Sequence, residues 1–253
     1  MRVPVLLLLA ALALPSAART APAIPPVIAK AIADPSRPAG DIARDTNRKP
    51  GETLAFLGVR PGMKVADYIA NSGYFTRLFA DVAGPKGHVY AVELDEIVTF
   101  PNVAKGYADL KTWATGKANV TVTTTPIADS LSFPEKLDLF WIAQNYHDLH
   151  DKFLGPVEIA GFNRKVFAAL KPGGSYVVLD HSAAAGAPDD VTETLHRIQE
   201  DRVKREVMAA GFELVGESKL LANPADPRTK GVFDDSIRGK TDQFILKFRK
   251  PRR

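Results

Sequence analysis

The sequence predicts an α/β protein: a mostly parallel seven-stranded sheet with one antiparallel strand and helices on both faces. Three observations point there. From Thr53 onward, strand-like runs alternate with runs of helical period, the pattern of strand–helix–strand crossovers. Leu137 to Ala143 is an almost unbroken apolar run, as a strand covered on both faces requires. The chain then ends on two strands with no helix between them, and neighbouring strands joined that way run antiparallel.

The elements follow in order. Met63 to Tyr68 is a short apolar strand after the turn residues Pro61 and Gly62, and Phe75, Leu78, Phe79 and Val82 recur at helical spacing behind Gly73. That is a strand, tight turn and helix. A second unit opens after Gly84-Pro85-Lys86-Gly87, with His88 to Val92 as a strand ending at Glu93. Val120 to Thr124 and Leu137 to Ala143 supply two more strands. Phe162, Val166, Phe167 and Leu170 share one face of the next helix, Lys171 to Gly174 stop it, and Tyr176 to Asp180 is a fifth buried strand. A helix to about Ala210 is broken by Gly211, and Phe212 to Glu217 and Gln243 to Phe248 close the sheet.

The chain begins with Met1-Arg2, an apolar run from Val5 to Leu14, then Pro15 and the small residues Ser16 to Ala18, the layout of a secretory signal peptide. The run is too short to span a bilayer, which takes ~20 apolar residues. Three segments are expected: a signal peptide over 1–18, with cleavage after Ala23 as the alternative, an Ala- and Pro-rich lead-in over 19–50, and one domain over 51–253. The formal net charge is +4, and loss of residues 1–18, which carry only Arg2, leaves +3. So mild a charge implies no nucleic-acid partner. With no cysteine, disulfides, thiolate metal sites and cysteine nucleophiles are excluded. The expectation is a periplasmic or secreted monomer with no stable membrane insertion once the signal is removed.

The series Val65-Ala66-Asp67-Tyr68-Ile69-Ala70-Asn71-Ser72-Gly73-Tyr74-Phe75-Thr76, then Val92-Glu93, then Ala169-Leu170-Lys171-Pro172-Gly173-Gly174 resembles the landmarks of the class I S-adenosylmethionine (SAM)-dependent methyltransferases. The span from about Asp34 to Pro251 is most similar to an exported bacterial group of that superfamily described as predicted methyltransferases. The resemblance implies a Rossmann-like fold, SAM as cofactor, and a small-molecule or envelope acceptor. It implies cofactor contacts from Asp67, Asn71, Gly73, Tyr74 and Glu93, and from Asp129 at the adenine amino group.

Physical reasoning supports the same placement. A strand entering a tight turn before a helix offers free N–H groups and the positive end of the helix dipole to an anion. An acid about 20 residues beyond the turn glycine can accept ribose hydroxyls. The chain departs from the family where Ile69 and Asn71 replace glycines; Ile69 narrows the pocket floor, whereas asparagine tolerates left-handed backbone.

Gln144 to His150 is a polar cluster at the carboxyl end of a buried strand, where open α/β sheets place ligands. His147 is the candidate base and Tyr146 or Asn145 would orient the acceptor, with His181 facing them from the next strand end. An alternative stays open: Tyr146 packed in the core and His147 capping a helix. A metal held by His147, His181 and Asp180 has no spacing motif behind it, so none is expected. His88 and His196 read as solvated, and the polar connection Leu221 to Lys240 as a cover over the acceptor side.

A methyltransferase is the leading reading. The alternative is an exported, non-catalytic ligand-binding protein on a degenerate methyltransferase fold. A nicotinamide-dependent dehydrogenase needs Gly-x-Gly-x-x-Gly, of which only Gly73 is present.

Overall fold

A computed structural model describes residues 23–128 and 131–252; the expected signal peptide and Asp129 lie outside the described residues. Four short helices lead in: α1 (Pro26–Ile32), α2 (Ala39–Ile42), α3 (Asp45–Arg48) and α4 (Pro50–Leu57). Then follow β1 (Lys64–Tyr68), α5 (Tyr74–Ala83), β2 (His88–Leu94), α6 (Pro101–Ala114), β3 (Val120–Thr125) and β4 (Leu137–Ala143). After two 3-10 turns come α7 (Ile159–Ala169), β5 (Leu170–His181), α8 (Val191–Leu195), α9 (Glu200–Ala209), β6 (Glu213–Ser218) and β7 (Gln243–Arg249).

The seven strands form one sheet in the order β3-β2-β1-β4-β5-β7-β6. β1 pairs parallel with β2 and β4, and β7 lies antiparallel between β5 and β6. One strand is therefore reversed, as expected from the helix-free ending. β5 differs from expectation: it starts at Leu170, because Leu170 already pairs with Leu137 before a register shift.

Strand alternation divides the core. On one face Tyr68, Phe140, Ile142, Tyr176 and Val178 pack with Phe162 and Val166 of α7 and Val203 and Val207 of α9. On the other, Val65, Leu139, Trp141, Val177 and Ile245 pack with Ile28 of α1, Leu54 of α4 and Leu78 and Phe79 of α5. Because β4 lies between β1 and β5 and is covered by both layers, each successive side chain meets apolar partners, which is why it reads as a nearly continuous apolar run.

The order reverses at β1. The chain winds outward from β1 through β2 to β3, then crosses to β4 on the other side. The loops leaving β1 and β4 diverge there, opening a crevice at their carboxyl ends.

The β1–α5 turn is tightly built. Ile69, Asn71 and Gly73 all have positive φ, at 58°, 51° and 76°. At Gly73 a Cβ would stand 2.3 Å from Leu110 Cδ1 of α6. Glycine is thus required twice, for its backbone angle and for the approach of α6. Gly73→Ala should lower stability by about 1–3 kcal/mol from overpacking alone, with the left-handed strain in addition. Urea unfolding followed by circular dichroism would measure the loss, and an unchanged midpoint would contradict this account.

Candidate active site

A cavity of about 750 Å³ opens at the reversal point, within the range of small-molecule and cofactor sites. One wall is the loop Ile69 to Ser72 with Asp67 below it; the opposite wall is Gln144, Asn145, His147 and Asp148 after β4, and His181 after β5.

The loop is held from beneath. Glu93, at the end of β2, is 1% exposed and accepts the Asn71 N–H at 2.8 Å and the Leu94 N–H at 3.1 Å. The Asn71 side chain folds back and donates to the Ile69 carbonyl at 3.1 Å. Asparagine therefore satisfies the left-handed turn locally, as expected. Ile69 is harder to accommodate, because a β-branched residue at positive φ is strained, by about 1–3 kcal/mol. Its side chain is buried in the core and also reaches the cavity wall.

The expected cofactor residues divide into two groups. Asp67, Asn71 and Tyr74 line the cavity; Gly73 and Glu93 do not. Glu93, expected as a direct ribose acceptor, supports the loop: each carboxylate oxygen accepts one backbone N–H, and the residue lies outside the cavity lining. Asp67 accepts the Thr76 hydroxyl at 2.6 Å. Burial pushes its carboxyl up to about 7, and burial likewise pushes Glu93 up to about 7.

The lead-in contributes cations that sequence reasoning missed. Arg44 and Arg48 line the cavity beside Tyr74. The Arg48 guanidinium lies 4.6 Å from the Tyr74 ring centre and 5.7 Å from that of Phe75. Its hydrogen bond to Gln144 Oε1 is long, at 3.4 Å, and burial lowers its pKa to about 10. Arg44 is held by Asp41, and the Tyr74 hydroxyl donates to Asp45 at 2.6 Å. Only contact across the fold reveals these cations, since they lie more than 20 residues before the loop they face.

On the opposite wall, His147 is clamped. Nδ1 lies 2.7 Å from Asp180 Oδ1 and Nε2 lies 3.1 Å from Asp148 Oδ1. The His147 N–H also donates to Asp180 Oδ2 at 2.9 Å. Burial opposes a charged ring, but the two carboxylates outweigh it and raise its pKa well above the ordinary value. An imidazolium with both nitrogens engaged cannot accept a proton, so His147 is corrected from a free base to a clamped cation.

His181 has the opposite character: burial drives its pKa down to about 3 and leaves a neutral ring. Its Nδ1 shares a hydrogen bond with Thr241 Oγ1 at 2.7 Å. Asn145 donates to Asp148 Oδ2 at 2.8 Å.

Tyr146 is a second correction. The left-handed Gln144, φ 61°, turns the chain so that Tyr146 enters the core, fully buried. Its hydroxyl donates to Glu206 at 2.9 Å and accepts from Asn163 at 3.0 Å. The core alternative is the correct one for this residue.

His196, expected in solvent, lines the cavity instead. It takes the left-handed position after α8, φ 51°, and its neighbour Arg197 locks the segment. Arg197 and Asp226 form a fully buried ion pair at 2.8 Å, and Arg197 also donates to the carbonyls of Ser182 and Lys230. This ties down the connection from Leu221 to Lys240, which brings Val232, Phe233 and Arg238 to the cavity and so covers it as expected.

Comparison with known proteins places this geometry in a class. No family model matches the chain. The chain is 32% identical over 136 residues to the ubiquinone/menaquinone biosynthesis C-methyltransferase UbiE of Saccharophagus degradans, an alignment covering 53% of this chain and 49% of that one. The chain thus spans about half the length of the curated relatives it matches. A SAM-dependent methyltransferase from Aquifex aeolicus superposes with a TM-score of 0.54 at 19% identity, over 88% of this chain and 96% of that one. The [4+2]-cyclase SpnF superposes with a TM-score of 0.56 at 16% identity, over 84% and 81%. The chain has the Rossmann-like fold of class I SAM-dependent methyltransferases, a fold that also carries a cyclase.

Two predictions follow from this geometry. Native Asp67 and Glu93 hold protons more tightly than the unfolded chain does, so from about pH 4.5 to about 7 the native state carries extra protons and stability falls as pH rises. Glu93→Gln removes one such group, and wild type should lose stability relative to this variant across that window, measured by urea midpoints; parallel curves would refute it. Tyr146→Phe should cost about 1–3 kcal/mol, since Glu206 and Asn163 lose a buried partner. The same change should leave ligand affinity at the cavity unaltered in calorimetry.

Proposed function

We propose that the protein is a SAM-dependent methyltransferase, acting after export on an acceptor with an aromatic or apolar body in the cell envelope. The observation that carries this reading is the β1–α5 loop. It keeps the left-handed turns at Ile69, Asn71 and Gly73, although only one of the three is glycine, and it does so beside a cavity at the reversal point of the sheet. Strain is retained in a fold only where the surroundings enforce it, and it gathers at ligand sites.

The charges on that wall fit the methionine end of SAM. Arg48, whose hydrogen bond to Gln144 is long, and Arg44 are suited to the carboxylate, and Asp67 to the ammonium group. SAM bound there would supply the methyl group. Transfer is an in-line displacement, so the protein's task is alignment and exclusion of water. Asn145 and the neutral His181 are placed to orient an acceptor from the other wall. Phe100, Phe153 and Phe233 are exposed by 42%, 42% and 62% and rim the cavity, which favours an apolar acceptor. The quinone biosynthesis named for the UbiE relatives makes a quinol-like ring the first acceptor to try.

The reading as a non-catalytic binding protein draws on Ile69, whose side chain reaches the cavity wall. Calorimetric titration with SAM and with S-adenosylhomocysteine separates the readings. Micromolar binding of both, weakened at least tenfold by Arg48→Ala, is expected. No binding at millimolar ligand would overturn the methyltransferase reading, and binding with no methyl transfer to any quinol or phenol would favour the binding protein.

A further inference from the structure

The acceptor wall holds more buried negative charge than its protein partners account for. Asp148, Asp151 and Asp180 are all buried, Asp151 to 1% exposure. Asp180 is satisfied by the His147 ring and two backbone N–H groups. Asp151 is less well served: the Thr192 hydroxyl is its neighbour, but among the described residues neither carboxylate oxygen accepts a hydrogen bond of ordinary geometry. A buried ionised carboxylate without partners is costly. On the cavity side, His196 Nδ1 stands 3.8 Å from Asp151 Oδ2 and 3.7 Å from Asp148 Oδ1.

His147, Asp148 and His196 each offer a ligand atom, and the three atoms lie within 4.8 Å of one another. A tetrahedral site with bonds of about 2.1 Å has edges of about 3.4 Å, which the separations of 3.1 Å and 3.7 Å bracket. The surrounding groups are arranged as for a metal site. Asp180 engages His147 Nδ1 at 2.7 Å and directs Nε2 toward the cluster, the carboxylate–histidine support found behind metal-bound imidazoles. Asn145 takes Asp148 Oδ2 and leaves Oδ1 for the same point.

We propose that His147 Nε2, Asp148 Oδ1 and His196 Nδ1 bind one divalent transition-metal cation, with Asp151 supplying an adjacent compensating charge. The cation takes the place of the proton that His147 Nε2 shares with Asp148 Oδ1, so binding releases that proton; two imidazoles and a carboxylate suit zinc, and next manganese or iron. Three protein ligands leave a coordination position open, and because all three residues line the cavity that position faces the acceptor. A hydroxyl or phenol oxygen of the acceptor would occupy it. That last placement rests on the methyl-transfer reading; the binding of the cation does not.

The test uses chelator-treated full-length protein titrated with zinc chloride by calorimetry, and with cobalt chloride by visible absorption. One equivalent should bind at micromolar or lower Kd, and cobalt should give the intense bands of a four-coordinate site. His196→Ala, at a half-buried ring on the cavity wall, should weaken binding at least tenfold and keep the wild-type melting curve, and Asp148→Asn should also weaken binding at least tenfold. His88→Ala, on a distant strand, should bind like wild type. No binding at 1 mM of zinc or cobalt, or equal binding by wild type and His196→Ala, overturns the proposal. SAM titration of the same metal-free protein reports on the methyl donor alone, so failure of either idea is visible without the other.

Discussion

The winding reversal between β1 and β4 is the constraint on which the site depends. Parallel strands need crossovers, and crossovers fill the space above the strand ends wherever the winding continues in one direction. At β1 and β4 it does not continue, so their carboxyl ends are left open. Everything that lines the cavity is positioned relative to that gap. The left-handed loop leaves β1, the clamped His147 follows β4, and His181 ends β5 alongside it.

The two walls differ in electrostatics. The loop wall sets Arg44 and Arg48 against protonatable acids, Asp67 and Glu93, whose burial favours their neutral forms. The far wall sets three carboxylates around imidazoles of opposite character, one held charged and the other held neutral. A zwitterionic donor suits the first wall, and a cation with an oxygen-bearing acceptor suits the second. The buried Arg197–Asp226 pair matters to both, since it fixes the cover and sets His196 in place.

Much of the architecture was legible in the sequence because it follows from periodicity. Short apolar runs bounded by turn residues marked the strands, and the absence of a helix between the last two strands required the reversed β7. Gly73 was legible because glycine at a tight turn has few substitutes. The polar run after β4 marked the correct strand end, but not the direction of each side chain. Tyr146 entered the core and His147 was trapped between two acids, because the left-handed Gln144 rotates everything after it.

The sequence alone therefore determined the strands, their order of appearance, the reversed ending and the region of the crevice, since these depend on local pattern and chain connectivity. The tertiary structure decided which charges meet. Arg44 and Arg48 face Tyr74, His196 joins Asp148 and Asp151, and Glu93 turns to the Asn71 N–H, in each case between elements far apart in the chain. Burial and pairing set the charge state of an ionisable group, and both arise only when distant segments pack together.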